Sequence, residues 1–324
     1  MGTPVLWLGF LLGAFAVVVI DLRVSSGKTV TPRTAAIWTG IWIALSLGFA
    51  GFLFSLGGTR VAVPFLTAYV IEYALSVDNL FVFLVIFSFF KVSSAAQHRL
   101  LYWGILGAFA LRGALIFLGA SLITRFEWIL YIFAALLLYT AWKMLFSSGG
   151  DEQIDPEKNK VFVWARKVLP LASGEHGLSF VVTEAGTRKV TTLFLVLLVV
   201  ETSDVLFAVD SIPAVLGITQ DPYIVFTSNA CAILGLRSLF FVVSSLMDKF
   251  RYLKIALGVI LAFVGVKMII ETAFASAMHE HEALLISVSL GFIATALTVA
   301  IVASIAIKPT LASAPAPGEP PAHV

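Results

Sequence analysis

Residues 190–216 read VTTLFLVLLVVETSDVLFAVDSIPAVL, an apolar run that contains three acidic residues, Glu201, Asp204 and Asp210. A helix needs about 20 mostly apolar residues to span the hydrocarbon core of a bilayer. A carboxylate at that depth is costly, so it normally faces the protein interior and has a function. This stretch therefore predicts both a membrane protein and the position of its functional site.

The composition of the whole chain agrees with a membrane protein. Of the 324 residues, 60% are hydrophobic and 12% are charged, whereas a soluble domain has about 45–50% apolar and about 25% charged residues. The net charge of +2 gives no reason to expect a nucleic-acid partner. Cys231 is the single cysteine, which excludes an internal disulfide or a CxxC redox site.

Nine apolar segments predict an all-α, polytopic membrane protein with about nine transmembrane helices in the lipid bilayer. They fall near residues 4–20, 35–56, 62–90, 100–123, 127–146, 190–216, 223–247, 251–274 and 283–306. Basic-rich and basic-poor connections alternate along the chain. The positive-inside rule then places the N-terminus outside and the C-terminus in the cytoplasm of a bacterial inner membrane.

The chain is predicted to form one membrane domain over residues 1–308, followed by a disordered, Pro/Ala-rich cytoplasmic tail at 309–324. A long cytoplasmic loop occupies residues 147–189. It contains an amphipathic stretch, Val161–Leu169, predicted to lie on the inner membrane surface. A small β-hairpin that turns at Ala185-Gly186 is predicted to follow.

An internal repeat relates residues 62–146 to residues 190–274. Matching pairs in the same order include Glu72-x5-Asp78-Asn79 with Asp204-x5-Asp210-Ser211, Leu111-Arg112 with Leu236-Arg237, and Lys143-Met144 with Lys267-Met268. Each copy has three helices, so the second copy enters the membrane from the opposite side. Such inverted repeats are common in secondary transporters, which bind their substrate where the copies meet. The alternative is a duplication retained only for packing.

The predicted membrane segments contain more acids than bases. The acids are Glu72, Asp78, Glu201, Asp204 and Asp210, and the bases are Arg112 and Arg237. The three excess negative charges cannot sit together in a low dielectric unless they are protonated or hold cations. A divalent cation meets that need, although some of the acids are expected to pair with the two arginines and lock helices together.

The ligand chemistry points to a hard cation. The acidic segments offer carboxylates together with Asn79, Ser76, Ser203 and Ser211, and all-oxygen sites suit Mn²⁺, Mg²⁺ or Ca²⁺. Glu72 and Asp78 differ by about 240° around a regular helix, so either the ion lies between helices or a helix is interrupted. Pro213 predicts an interruption of the second copy beside Asp210.

A weaker candidate lies in the predicted outer loop Met278-His-Glu-His-Glu282. His279 and His281 alternate with glutamates and could catch a metal near the exit of the pathway. The plainer interpretation is a short polar loop between two membrane helices.

The two acidic segments, Glu72-Tyr-Ala-Leu-Ser-Val-Asp-Asn-Leu-Phe-Val82 and Glu201–Val215, resemble the paired signatures of the TerC family, and nearly the whole chain is similar to its Alx-type members. The family is named for tellurite resistance and includes manganese exporters. The resemblance implies Mn²⁺ efflux and manganese homeostasis, with the five membrane acids as site residues. It does not explain a role in tellurite resistance, because an acidic site would repel the tellurite oxyanion.

The leading hypothesis is therefore a divalent metal exporter, with Mn²⁺ as the favoured cargo, alternating access and proton coupling. The alternative is a non-transporting membrane component of a stress-resistance complex. Enzymatic activity is not expected, since the protease motif Gly-x-Gly-Asp is missing, and no permanently bound cofactor is expected. Tyr69 occupies the position in the first copy that corresponds to Glu201, so the site is predicted to be asymmetric.

Overall fold

The structure is a computed structural model, and it describes residues 2–25, 31–126, 128–146, 160–174, 176–184, 186–244, 252–274 and 282–306. These form eleven helices and one two-stranded sheet. In chain order the elements are α1 (Pro4–Ser25), α2 (Pro32–Gly57), α3 (Thr59–Phe89), α4 (Ser94–Arg125), α5 (Ile129–Phe146), α6 (Lys160–Val168), β1 (Val181–Glu184), β2 (Thr187–Val190), α7 (Thr192–Leu216), α8 (Pro222–Leu234), α9 (Leu236–Ser244), α10 (Leu253–Ala273) and α11 (Glu282–Ala306). The predicted disordered tail and the predicted metal-catching histidines, His279 and His281, lie outside the described residues.

The chain is a polytopic helical membrane protein. Within the described ranges, seven helices are long and apolar enough to cross a membrane. The pair α8 and α9 would form an eighth span that is bent by 46°. A helix lies at each of the nine predicted segments, but the apolar part of α1 is shorter than a full span. The count of nine spans therefore stays a prediction.

The bend between α8 and α9 lies at Gly235. A Cβ at this position would lie 3.3 Å from the Cβ of Trp42, so glycine lets α2 approach closely here. The predicted interruption at Pro213 was wrong, because α7 remains helical through Pro213 and ends at Leu216. Proline in the last turn removes one hydrogen bond without breaking the helix before it.

The helices of the two predicted repeats pack in an exchanged order: α3 lies against α8, α4 against α7, and α5 against α10. Glycines show the directions of these pairs. Gly104 faces Val200 and Gly119 faces Leu216, so α4 and α7 run parallel. The corresponding contacts between α5 and α10 place Gly258 beside Leu145 and Gly265 beside Leu138, so these two helices run antiparallel.

The N-terminal helices flank this core. The Trp7 ring of α1 packs edge-on against Tyr223 of α8, with 5.0 Å between centroids. An apolar cavity of about 510 Å³ lies between α1, α2 and α8. It is separate from the acidic residues.

The segment before α7 carries α6 and the hairpin. Phe162 of α6 is buried and packs against Phe90, whereas Trp164 is 60% exposed. The antiparallel strands β1 and β2 pair from Val181↔Val190 to Glu184↔Thr187, and Gly186 in the turn has a φ of 77°. The hairpin thus lies where the sequence predicts one.

Glu184 ties the hairpin to the chain that precedes it. Its carboxylate accepts hydrogen bonds from Lys189 at 3.0 Å and from the Ser173 backbone N–H at 3.2 Å. The Lys189 hydrogen bond is the main reason that the pKa of Glu184 is lowered from its ordinary value. The charged carboxylate is therefore the form that holds this contact.

Candidate functional site

Arg112 lies at the centre of the buried polar residues. It is on α4, its side chain is only 1% exposed, and it makes a bidentate pair with Asp204 of α7. The Nε–Oδ2 and Nη2–Oδ1 distances are 3.0 and 2.9 Å. A planar guanidinium matches a carboxylate in this geometry, and charge-assisted bonds of this kind are stronger than neutral ones. This pair joins the first predicted repeat to the second.

Glu72 of α3 forms an ion pair with the same Arg112 and is completely buried. Neither of its oxygens accepts a hydrogen bond of ordinary geometry from the described residues. Asn79 lies two turns after Glu72 on the same face of α3. With its amide assigned the orientation that satisfies both ends, the oxygen accepts from Arg112 Nη2 at 3.2 Å and the nitrogen donates to the Leu75 carbonyl at 3.1 Å. One arginine therefore serves two buried carboxylates and one amide.

The neighbouring serines differ in how they are satisfied. Ser203 donates to the Val199 carbonyl within its own helix at 2.8 Å. The hydroxyls of Ser76 and Ser211 are buried, and within the described part of the chain they have no hydrogen-bond partner. Unsatisfied buried hydroxyls are uncommon in folded proteins. They supply two further oxygen atoms close to the acidic residues in sequence.

Glu201 lies one turn before Asp204 on α7 and is half-buried. Its carboxylate packs directly on Gly107 of α4, where any Cβ would overlap it. Its Oε2 atom is buried, and the described residues offer it no hydrogen-bond partner. The backbone of Gly107 thus makes space for an acid that no base neutralises directly in the described structure.

Asp210 is held separately. Thr140 of α5 donates a hydrogen bond to its Oδ1 atom at 3.0 Å, and the side chain is half-buried. Six residues separate Asp210 from Asp204, so the two acids lie on different faces of α7. Asp210 and the Arg112 cluster are two distinct positions along one helix.

Two predicted site residues stay less defined. The backbone of Asp78 lies within α3, but its side chain is outside the described residues. Arg237 is half-buried on α9, two residues after the bend at Gly235.

The acids whose side chains the structure describes do not close around a single ion. In the described ranges, no group of three or more His, Cys, Asp or Glu side chains is arranged to hold a metal. The cavity beside Asp204 has space for no more than about one water molecule. Glu72, Asn79, Arg112 and Asp204 form a closed cluster with the guanidinium at its centre, called the Arg112 cluster below. Glu201 lies at its edge.

Sequence reasoning did not single out Gly107 or Thr140. Both act on a predicted acid from another helix, and no spacing in the chain reveals such a contact. Thr140 lies one turn before Lys143, the residue that the predicted repeat matches with Lys267. The contact between α5 and α7 lies outside the reciprocal pairs α3–α8, α4–α7 and α5–α10, so the predicted repeat does not indicate it.

Comparison with known proteins places the chain. Residues 57–311 match the family described as "Integral membrane protein TerC family". The chain is 43% identical over 281 residues to an Escherichia coli (strain K12) protein named "Putative membrane-bound redox modulator Alx", covering 83% of this chain and 87% of that one. It is 42% identical over 272 residues to "Uncharacterized membrane protein STKORF319" of Myxococcus xanthus, with 83% and 85% coverage. An uncharacterized membrane protein of Rickettsia bellii is 35% identical over 304 residues, with 93% and 97% coverage. No solved structure matches the chain. A family match over most of the sequence, with relatives above 40% identity, shows that this chain belongs to the TerC family.

Proposed function

We propose that this protein exports a hard divalent cation, with Mn²⁺ as the main cargo, from the cytoplasm across the bacterial inner membrane. The observation that carries the proposal is the charge of the described site. Among the described residues, Glu72 and Asp204 pair with one base, Arg112, and Glu201 lies one turn from Asp204 with no base of its own, which leaves two negative charges in excess when all three acids are ionised. Buried charges without partners are costly, and a divalent cation would balance these two.

The ligand types favour a hard ion. The carboxylates, the Asn79 amide and the hydroxyls of Ser76 and Ser211 are all oxygen donors, which suit Mn²⁺, Mg²⁺ and Ca²⁺ better than Zn²⁺ or Cu²⁺. The acids would also repel an anion such as tellurite. Transport of a cation is therefore the function that these side chains support best.

The packing of the helices supports alternating access. An inverted repeat predicts that each helix of one copy contacts a helix of the other in a reciprocal pattern, and α3–α8, α4–α7 and α5–α10 follow that pattern. Glu72 and Asp204 are the corresponding acids of the two copies, and they meet at one arginine. Rocking of the copies against each other would open the site to either side in turn.

Liposomes containing the purified full-length chain provide the test. We expect Mn²⁺ to cross these membranes faster than protein-free ones, and Glu201→Gln to reduce the flux. Glu271→Gln is a matched control, because this acid pairs with Lys267 within its own helix. If the wild-type protein moves none of Mn²⁺, Mg²⁺ or Ca²⁺, the proposal is wrong.

A second candidate is a non-transporting component of a stress-resistance complex. It is favoured by the exposed apolar side chains of the segment before α7, where Trp164 and Val168 are 60% and 58% exposed. Transport by the protein alone in liposomes would count against it.

The redox function in the name of the Alx relatives finds little chemical support in this chain. Cys231 is the single cysteine of the sequence, and exchange within one chain between a dithiol and a disulfide needs two. Metal transport accounts for the buried acids, which a thiol mechanism does not use.

A further inference from the structure

The Arg112 cluster joins three helices through one side chain. Arg112 reaches Asp204 with two hydrogen bonds, Glu72 through an ion pair and Asn79 through the amide oxygen. Exposure is 1% for Arg112, 0% for Glu72 and 3% for Asp204. Solvent therefore contributes almost nothing to neutralising these charges.

The charge on Arg112 is permanent. A guanidinium is not deprotonated in proteins, so it stays cationic even when buried. Two carboxylates that face each other in this environment would otherwise repel and carry a large desolvation cost. Arg112 is thus the counter-cation that lowers this cost when no metal is bound.

The same hydrogen bonds block the site. Both oxygens of Asp204 accept from Arg112, at 2.9 and 3.0 Å, so the guanidinium occupies the bidentate position in front of this carboxylate. A divalent ion between Glu72 and Asp204 would also lie against the guanidinium, whose charge would repel it. Arginine and metal therefore compete for the same carboxylates.

We propose that Arg112 is a tethered substitute for the transported cation. This inference rests on the proposed transport function. The divalent ion displaces the guanidinium from Glu72 and Asp204, and two positive charges then balance the two carboxylates. When the ion leaves, Arg112 returns, so the empty carrier changes its conformation with one positive charge between Glu72 and Asp204 instead of none. Arg112 is a positioning residue for the empty state and does not bind the cargo.

Comparing Mn²⁺ exchange with net Mn²⁺ efflux distinguishes this role of Arg112 from a purely structural one. Exchange of labelled Mn²⁺ for Mn²⁺ keeps the site loaded at every reorientation, whereas net efflux into metal-free buffer requires the empty carrier to return. For Arg112→Gln in liposomes we expect exchange to persist while net efflux falls about tenfold or more, because only the empty state lacks its counter-cation. A folded variant that loses both modes equally would overturn the inference.

Binding affinity gives an independent measure. If Arg112 occupies the carboxylates about 90% of the time without metal, removing this competition tightens apparent Mn²⁺ binding about tenfold. We would measure the Mn²⁺-dependent thermal shift of the purified chain. Arg112→Lys covers the case in which Arg112→Gln does not fold, since it keeps the charge and loses the bidentate geometry. We expect Arg112→Lys to bind Mn²⁺ several-fold more tightly than the wild type and to retain net efflux.

The two hypotheses fail in different ways. If the wild-type protein transports no metal in either mode, the proposed function is wrong and this inference is wrong with it. If the wild type transports Mn²⁺ but Arg112→Lys binds Mn²⁺ no more tightly, transport stands and the role of Arg112 is overturned.

Discussion

Asp204 and Glu201 lie one turn apart on α7 and face the same neighbouring helix, yet α4 receives them in opposite ways. Asp204 meets Arg112, which satisfies both of its oxygens. Glu201 meets Gly107, which offers only the space left by a missing side chain. The first acid is neutralised and fixed, whereas the second is accommodated without a direct positive partner in the described structure.

This difference assigns separate tasks to the two acids. A carboxylate held in a bidentate pair contributes to the closed structure and must release its arginine before it can bind a cation. A half-buried carboxylate with an unpartnered oxygen is available at once. We infer that Glu201 is the first of the described acids to meet a cation and that Asp204 follows when the Arg112 cluster opens.

The largest effect is expected when Arg112, the base that pairs with Asp204, is removed. Arg112→Leu leaves Glu72 and Asp204 buried without their base, and removing one partner of such a cluster costs about 3–5 kcal/mol. Glu201→Gln is the contrasting variant, because it removes a charge that has no described ion pair, and we expect it to change stability by less than about 1 kcal/mol. Thermal unfolding in detergent measures both. Equal destabilisation by the two variants would contradict the comparison.

The intermediate effect concerns the space around Glu201. Gly107→Ala places a methyl group where the carboxylate now lies, so the acid must move away from α4. We expect Mn²⁺ flux to fall about tenfold, which corresponds to about 1.4 kcal/mol. Unfolding should change little, since the flexible end of the glutamate can shift.

Gly104→Ala is the matched control for that variant, because it lies one turn earlier on the same helix. Its Cβ would lie 3.4 Å from the Val200 Cγ1 atom, which is an ordinary van der Waals contact. If both alanine variants lowered the flux equally, the position of Glu201 against Gly107 would not be the cause.

The fold and the identity of the acids could be predicted from the sequence, but their pairing could not. Hydropathy identified the helical membrane fold and the position of each apolar segment, because a bilayer imposes a strict length on such runs. The pattern of charges identified the acids and Arg112. It did not identify which acids the arginine would take, since Glu72, Asp204 and Arg112 come from three helices and meet only through tertiary packing.

Pro213 is a case in which a local sequence rule gave a wrong prediction. The residue reads locally as a helix breaker, yet α7 continues through it because only one hydrogen bond is lost near the end of the helix. The bend occurs instead at Gly235, where close packing of Trp42 favours a residue without a side chain. The proline rule failed here because the effect of a proline depends on its place within the helix, and Pro213 lies in the last turn of α7.

The smallest expected effect concerns Asp210, the third acid of α7. Its carboxylate accepts a hydrogen bond from the Thr140 hydroxyl at 3.0 Å, and the charge of Lys143, one turn further along α5, also acts on it. Thr140→Val keeps the shape of the side chain and removes this hydrogen bond, which should cost about 1 kcal/mol. Thr140→Ser keeps the donor and should stay closer to the wild type in thermal unfolding. If valine and serine have the same effect, the hydroxyl does not hold Asp210. If valine alone is destabilising, the Thr140 hydroxyl holds Asp210 beside Lys143, whereas Arg112 holds Asp204 and no described base pairs with Glu201. Glu201, the least compensated of them, then remains the acid most available to a cation.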